Sequence, residues 1–341
     1  MKSIAVRKYN IPIFIPHRGC PNDCAFCNQK KITGIDTDVS VSDVKRLIEK
    51  SLETAKPGSD IEVAFFGGSF TGLDKGLQRE FLEAAGEFFP DISGIRLSTR
   101  ADYINGEIIS LLKEYKVTAV ELGVQSTDAG VLEKNLRGHD FSVVKKAAEL
   151  IKSAGFELGL QMMLGMYGSD FEKDIKTAED IIALEPETTR IYPTVVLKET
   201  KLEEYYKSGL YGPYTVEEAA ECAKEVYLRF KKSGVTVLRI GLHSSEELSG
   251  DSVVAGPYHP AFGEMVFSLI YRGEIEEEIK RCGYKDCNLT LEVRKNEISK
   301  VIGQKKSNLK YFKEKYNIHL YIEEIKTDYV NEREKQWILK K

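Results

Sequence analysis

Short apolar runs alternate with longer amphipathic stretches along most of the chain. The apolar runs are IPIFI (11–15), IEVAFF (61–66), GIRLS (94–98), TAVELGV (118–124), FELGLQMM (156–163), TRIYPTVV (189–196) and VTVLRI (235–240). They are nearly continuous rather than alternating, as strands are when both faces are buried. Between them the spacing predicts helices over 41–55, 73–88, 106–116, 128–136 with 141–154, 171–184 and 215–232. Thr215 and Glu218 form a capping-box pattern at the start of the last helix, and Gly155 stands where helix 141–154 must stop. A βα unit repeated six or seven times predicts a parallel sheet with helices packed outside it. That is too few units for a closed eight-stranded barrel. The expected fold is therefore α/β, a partial (β/α)6 TIM-like barrel with its chemistry at the carboxyl ends of the strands.

The rhythm changes near residue 250. SEELSGDSVVAGPYHPAFGE reads as a long loop, and a helix is expected near 261–281. LTLEVRKNEISKVIGQKKSNLKYFKEKYNIHLYIEEI then reads strand, helix, turn, helix, strand. This divides the chain into a barrel with its extension at 1–285 and a small α+β domain at 288–341.

Composition adds compartment and charge. The 341 residues are 42% hydrophobic and 30% charged, which predicts a packed core and not a disordered chain. No segment approaches the ~20 apolar residues of a membrane span, and the amino terminus has no signal-like apolar run. A soluble, cytoplasmic protein without a membrane partner is expected. The net charge of −4 is unevenly spread: residues 288–341 hold thirteen Lys/Arg against eight Asp/Glu, a balance of +5, so the rest carries −9. A basic tail on an acidic body points to an anionic partner.

The chemistry is concentrated in PHRGCPNDCAFCNQKK (16–31), where Cys20, Cys24 and Cys27 fall within eight positions of a chain with six cysteines. In a reducing compartment such grouping implies metal or cluster ligation rather than disulfides. Two ligand sets are open. His17 can complete a four-ligand zinc site with the three thiols. Alternatively the thiolates hold three irons of a 4Fe-4S cluster and leave the fourth open. Pro, Asn, Asp and Gly around the cysteines make this a loop, directly after the first strand. Gly67 and Gly68 end the second strand, either as bare backbone for a ligand or as an ordinary turn. Glu121 and Gln125 share one face of their strand. Arg137 offers a guanidinium fork to a carboxylate or to a surface ion pair. Met162 and Met163 read as core filler.

Cys-x3-Cys-x2-Cys, with Phe26 before the third cysteine, resembles the signature of radical S-adenosylmethionine (SAM) enzymes. The resemblance implies a 4Fe-4S cluster on Cys20, Cys24 and Cys27, and SAM as second cofactor. It implies SAM contacts at Gly67, Gly68 and Ser69, at Gln125, at Arg137 with the SAM carboxylate, and at Gln161 with the ribose. At Ser98 relatives often carry a glutamate, so this position departs from the pattern. An electron donor such as ferredoxin or flavodoxin is implied as well. No catalytic side chain is assigned beyond the cluster and cofactor set.

IPIFIPHRGCPNDCAFCNQ, FFGGSFTGL, STRADYI, ELGVQS, RGH, RIYPTVVLKET, GLYGPYTVEEA and AGPYHPAFGE together resemble the radical domain of the Elongator catalytic subunit, from about residue 8 to 270. That family modifies wobble uridines in tRNA. The chain departs from it after residue 280, where no acetyltransferase domain has room. VIGQKKSNLKYFKEKYNIHLYI (301–322) instead resembles the centre of a KH module, in which a GXXG loop clamps a nucleotide backbone. Here Gly303, Gln304, Lys305 and Lys306 form the loop; its final glycine is missing, and the lysines suit phosphate. RNA, either tRNA or rRNA, is the expected partner, and DNA is not. Lys198, past the sixth strand, faces an anionic substrate or solvent.

The remaining features read as structural. Tyr205, Tyr206, Tyr211 and Tyr214 read as packing, His259 as structural, and Cys222, Cys282 and Cys287 as buried or idle thiols. Two rival functions stand beside RNA modification. A radical enzyme acting on a small molecule or peptide predicts no RNA retention. A zinc-stabilised RNA-binding protein predicts a colourless protein without SAM cleavage.

Overall fold

The computed structural model describes residues 8–15, 20, 24–28, 39–56, 58–242, 252–325 and 337–341. Its first eight strands are β1 (Lys8–Ile15), β2 (Asp60–Gly67), β3 (Gly94–Thr99), β4 (Val117–Gln125), β5 (Glu157–Leu164), β6 (Thr188–Pro193), β7 (Val196–Leu197) and β8 (Thr236–Ile240). All but β7 pair side by side, in chain order and in parallel, into one seven-stranded sheet. The sheet curls into half a barrel with β1 and β8 at its edges. The expected partial barrel is thus the observed one, with a seventh strand on the six-unit count.

The helices of this part are α1 (Val41–Thr54), α2 (Lys75–Gly86), α3 (Gly106–Glu114), α4 (Ala129–Lys134), α5 (Phe141–Ser153), α6 (Phe171–Ile182), α7 (Lys201–Lys207) and α8 (Val216–Lys232); the short α4 and α7 sit in the segments after β4 and β7, and the others form the outer layer. Each long helix buries one stripe on the sheet, such as Val44 and Ile48 of α1 or Val144, Ala148 and Ile151 of α5. Ser40 with Asp43, and Thr215 with Glu218, close reciprocal capping boxes on α1 and α8. These satisfy amide donors that a helix start leaves open. Gly155 follows α5 at φ +85°, a conformation that favours glycine.

The apolar rule breaks inside the barrel. Arg96 of β3 bonds Glu62 (3.0 and 3.1 Å) and Glu157 (2.8 Å) and lies 3.5 Å from Glu121. Arg190 of β6 holds Glu121 at 2.6 and 3.1 Å and stacks its guanidinium over Phe66. These groups form a polar plug beneath the carboxyl ends of the strands. Thr118 adds a 2.8 Å bond to Glu62.

The structure corrects three local expectations. TRIYPTVV is not one strand: β6 ends at Pro193 and β7 turns away to pair antiparallel with β9 (Val253–Ala255). The long loop expected over 245–264 therefore contains a strand. Helix α7 had no predicted counterpart. It lies against the cysteine loop, because the Leu202 amide donates to the Ala25 carbonyl at 2.7 Å.

The chain continues through α9 (Phe262–Cys282), β10 (Asn288–Val293), α10 (Ile298–Ile302), α11 (Ser307–Tyr316), β11 (His319–Glu324) and β12 (Trp337–Lys340). Central β10 pairs parallel with β11 and antiparallel with β12. The helix α9 serves two cores. Phe262, Val266 and Ile270 join the barrel core, whereas Tyr271, Ile275 and Ile279 pack with Leu289, Leu291, Phe312 and Trp337.

Asp174 anchors the loop after β5. It accepts from the Gly165 amide (2.8 Å), the Ser169 hydroxyl (2.6 Å) and the Tyr214 hydroxyl (3.2 Å), and the Cys222 thiol lies 3.8 Å away. Burial outweighs these donors and pushes its carboxyl up to about 6. A folded value above the ordinary one contributes stability that is complete below about 3.8 and lost as pH rises through about 6. The stability of wild type relative to Asp174→Asn is therefore expected to fall between these pH values and to level off above them. Denaturant titrations across that range check this, and a flat difference refutes it.

Candidate active site

The cysteine loop leaves β1 at the carboxyl edge of the sheet. Cys20 is exposed, Cys24 buried and Cys27 half-buried, and none of the three is in a disulfide with a described residue. The Cys27 amide donates to the Cys24 carbonyl at 2.9 Å, so the second and third cysteines share one tight turn. Ala25 is pinned from both sides, its amide to Asn135 O (3.0 Å) and its carbonyl to Leu202. Phe26 packs with Tyr167, Tyr205 and Leu202. The tyrosines at 205 and 211 are packing residues, as the sequence suggested; Tyr211 also donates to Gly165 O at 2.7 Å. His17, needed for the zinc alternative, lies outside the described residues.

Two arginines converge on Cys24. Arg137 Nη1 stands 3.5 Å and Arg100 Nη1 3.9 Å from its sulfur. Both side chains are almost fully buried. Arg100 is braced by Asp102 through paired bonds of 2.9 and 2.8 Å and donates to Arg137 O at 2.8 Å. Arg137 Nη2 donates to Gly123 O at 2.5 Å. Its Nε is buried without a hydrogen-bond partner, and no carboxylate pairs with it among the described residues. The sequence had marked Arg137 for a cofactor carboxylate and had missed Arg100. The available signal was an arginine placed directly after β3, with an acid two positions on.

The other marked residues gather around this pair. Gly123 admits the guanidinium, since a Cβ there would lie 3.1 Å from Arg137 Nη2 and 2.7 Å from Gln125 Nε2. A register shift in β4 and a left-handed φ of +70° aim Gln125 at Gln161. Their amides exchange two hydrogen bonds, at 3.0 and 2.7 Å. Gly67, at φ +101°, approaches β1 so closely that a Cβ would lie 3.1 Å from Ile15 O. The Gly68 amide bonds that same oxygen at 2.7 Å. The Ser69 hydroxyl is engaged inside the fold, with Thr99 Oγ1 at 2.8 Å and the Arg100 amide at 3.1 Å. Ser98 is half-buried on β3, in register with Glu121. Lys198 is exposed just past β7, and its carbonyl accepts from Asn28 Nδ2 of the cysteine loop at 3.2 Å.

Residues 14–181 match the model of the radical SAM superfamily, and residues 186–272 match that of the radical SAM C-terminal domain. The chain belongs to the radical SAM superfamily. It is similar to the tRNA uridine(34) acetyltransferase of Methanocaldococcus jannaschii, with 28% identity over 70% of this chain and 47% of that protein. It is 32% identical to human Elongator complex protein 3 over 39% of this chain and 25% of that one. The structure of archaeal Methanocaldococcus infernus Elp3 shares its fold, with TM-score 0.65 and 23% identity over 79% of this chain and 64% of the other. The chain thus spans about half the length of the M. jannaschii relative.

Radical SAM proteins use a 4Fe-4S cluster and SAM. Among the described residues no three His, Cys, Asp or Glu side chains converge tightly enough for a single metal ion. A cluster makes a different demand, because its thiolates bind separate irons and stand apart. The loop offers three thiols as donors, and the two buried guanidiniums place positive charge beside the Cys24 sulfur, which suits a thiolate ligand of such a cluster. Also among the described residues, no helix is long and apolar enough to cross a membrane.

The remaining marked loop lies in the small domain, between α10 and α11. Gly303 has φ +75°, and Lys305 and Lys306 follow at φ +52° and +62°. Lys306 thus takes the left-handed backbone that the missing glycine would have made easy. Asn308 locks the turn, donating to Ser268 O, Ser268 Oγ and Val301 O at 2.9–3.0 Å. Both lysines are exposed.

Proposed function

We propose that the protein modifies RNA, with tRNA as substrate, through SAM radical chemistry. The observation that carries the reading is the likeness, over 70% of the chain, to a relative named for uridine 34 of tRNA. Cys20, Cys24 and Cys27 hold the cluster. Gly67, Gly68, Arg137 and the Gln125–Gln161 amide pair hold SAM; the Nε of Arg137, unpartnered among the described residues, is the donor left for its carboxylate. When bound, the cluster and SAM would supply one-electron radical chemistry at the sulfonium. The chain's own part is to orient the reactants and exclude water, which the packed tyrosines and α7 do beside the cysteine loop.

RNA contact falls to the small domain, with its strand–helix–turn–helix–strand core and basic turn. A left-handed turn stabilised from behind by Asn308 presents the Lys305 and Lys306 charges to phosphates. The double variant Lys305→Gln/Lys306→Gln is expected to lower the slope of log affinity against log salt by about 1.4 for single-stranded RNA. Filter binding of tRNA from 50 to 200 mM salt reads this, where ~0.7 per lost contact applies. An unchanged slope removes the turn from the interface. For the activity itself, mass mapping of nucleosides from cells lacking the gene is expected to show one modified tRNA nucleoside missing. An unchanged tRNA profile overturns the substrate assignment.

A further inference from the structure

We propose that Arg100, held by Asp102, is a positioning residue that sets the reduction potential of the cluster through Cys24; this rests on the reading that Cys20, Cys24 and Cys27 bind a 4Fe-4S cluster. Arg100 is built into place with unusual completeness. Its Nε and Nη2 grip both Asp102 oxygens, its Nη2 also reaches Arg137 O, and its Nη1 points at the Cys24 sulfur. Only 3% of the side chain is exposed, so water screens little of its charge. Reduction adds one electron to the cluster. A buried cation beside a ligating sulfur stabilises the more negative, reduced form, and hydrogen bonds to that sulfur act in the same sense.

Asp102 tempers the effect. It is the anionic half of the pair, so the net field at Cys24 is a balance between Asp102 and the two guanidiniums. Arg137 carries no such counter-charge among the described residues and is assigned to SAM. Arg100 therefore is the cation free of a cofactor-binding duty, and the Arg100–Asp102 pair is where the chain can adjust potential without altering SAM contacts. A higher potential makes the cluster easier for an external donor to reduce and a weaker reductant of the sulfonium.

The test is a potentiometric titration of anaerobically reconstituted full-length protein, with dithionite as reductant and the EPR signal of the reduced cluster as readout. Arg100→Gln is expected to lower the equilibrium constant for reduction about tenfold, which is 59 mV for one electron. Asp102→Asn, which leaves the guanidinium unbalanced, is expected to shift it in the opposite direction. A structural role alone moves both variants the same way or neither, and either result overturns the inference. Arg100→Lys keeps the charge and is expected to stay nearer to wild type than Arg100→Gln; if the two shift equally, charge is not the cause. Wild-type protein that assembles no cluster overturns the cluster reading itself, whereas a cluster with unmoved potentials overturns only the role of Arg100.

Discussion

Cys24→Ala is expected to yield a folded protein nearly devoid of iron and sulfide that cleaves no SAM. Cys24 is the buried member of the three thiols and faces both arginines. Its loop is tied to Asn135 and to Leu202 through Ala25, so another residue cannot slide into its position. No spare thiol stands in reserve. Cys222 is buried in α8 beside Asp174, and burial pushes its thiol far up. Cys282 and Cys287 flank the start of the small domain. Losing an outer partner of a metal site typically costs about 10–100-fold in affinity or activity, and losing a ligand costs more. Iron and sulfide analysis of anaerobic material, with chromatographic assay of 5′-deoxyadenosine, checks the result. Full iron in Cys24→Ala, with metal lost instead in His17→Ala, overturns the three-thiolate site.

Arg96→Met is expected to destabilise the fold by about 3–5 kcal/mol, the usual cost of breaking a buried ion pair from one side. The Arg96 side chain is 3% exposed and serves Glu62, Glu157 and Glu121. Without it, among the described residues, Glu62 loses its cation and Glu121 keeps only Arg190. The cost comes from desolvated carboxylates left without a counter-charge, not from the worth of the pair itself. Removing both charges, as in Arg96→Met/Glu62→Gln, is therefore expected to recover much of the loss. Denaturant melts of the three variants decide the matter. A loss below about 1 kcal/mol for Arg96→Met contradicts the account of the barrel plug.

Much of the fold was legible because its elements are local. Most barrel strands carry a nearly continuous apolar run, and most long helices of the barrel are periodic. Thr215 with Glu218 marked the start of α8 and Gly155 the end of α5. What escaped had no local signature. The β7–β9 pair joins Leu197 to Val253 across the chain, and neither short segment shows a period of its own. The α7 helix has only two turns and is held by the cysteine loop. The α9 helix was expected near 261–281 and is there, but that its two halves face different cores had no local signature.

The site was legible in part for the same reason. Three cysteines at fixed spacing, a glycine pair and two glutamines at strand ends announce themselves in one dimension. The Ser69 hydroxyl, engaged with Thr99 and the Arg100 amide, and the aim of Arg137 at Cys24 depend on residues far apart in the chain. Arg100 lies 76 positions from the sulfur it approaches.

The sequence by itself determined the alternation of strands and helices, the carboxyl-edge position of the cysteine loop and the identity of its three thiols, because backbone periodicity and ligand spacing are properties of neighbouring residues. Only the tertiary structure decided which charges face those thiols, that the barrel is filled by ion pairs, and that Lys306 takes a left-handed turn without glycine. Those outcomes are set by burial and by contacts between distant segments. Desolvation and charge pairing depend on what surrounds a group in space, and that is settled only when the sheet curls and its loops meet.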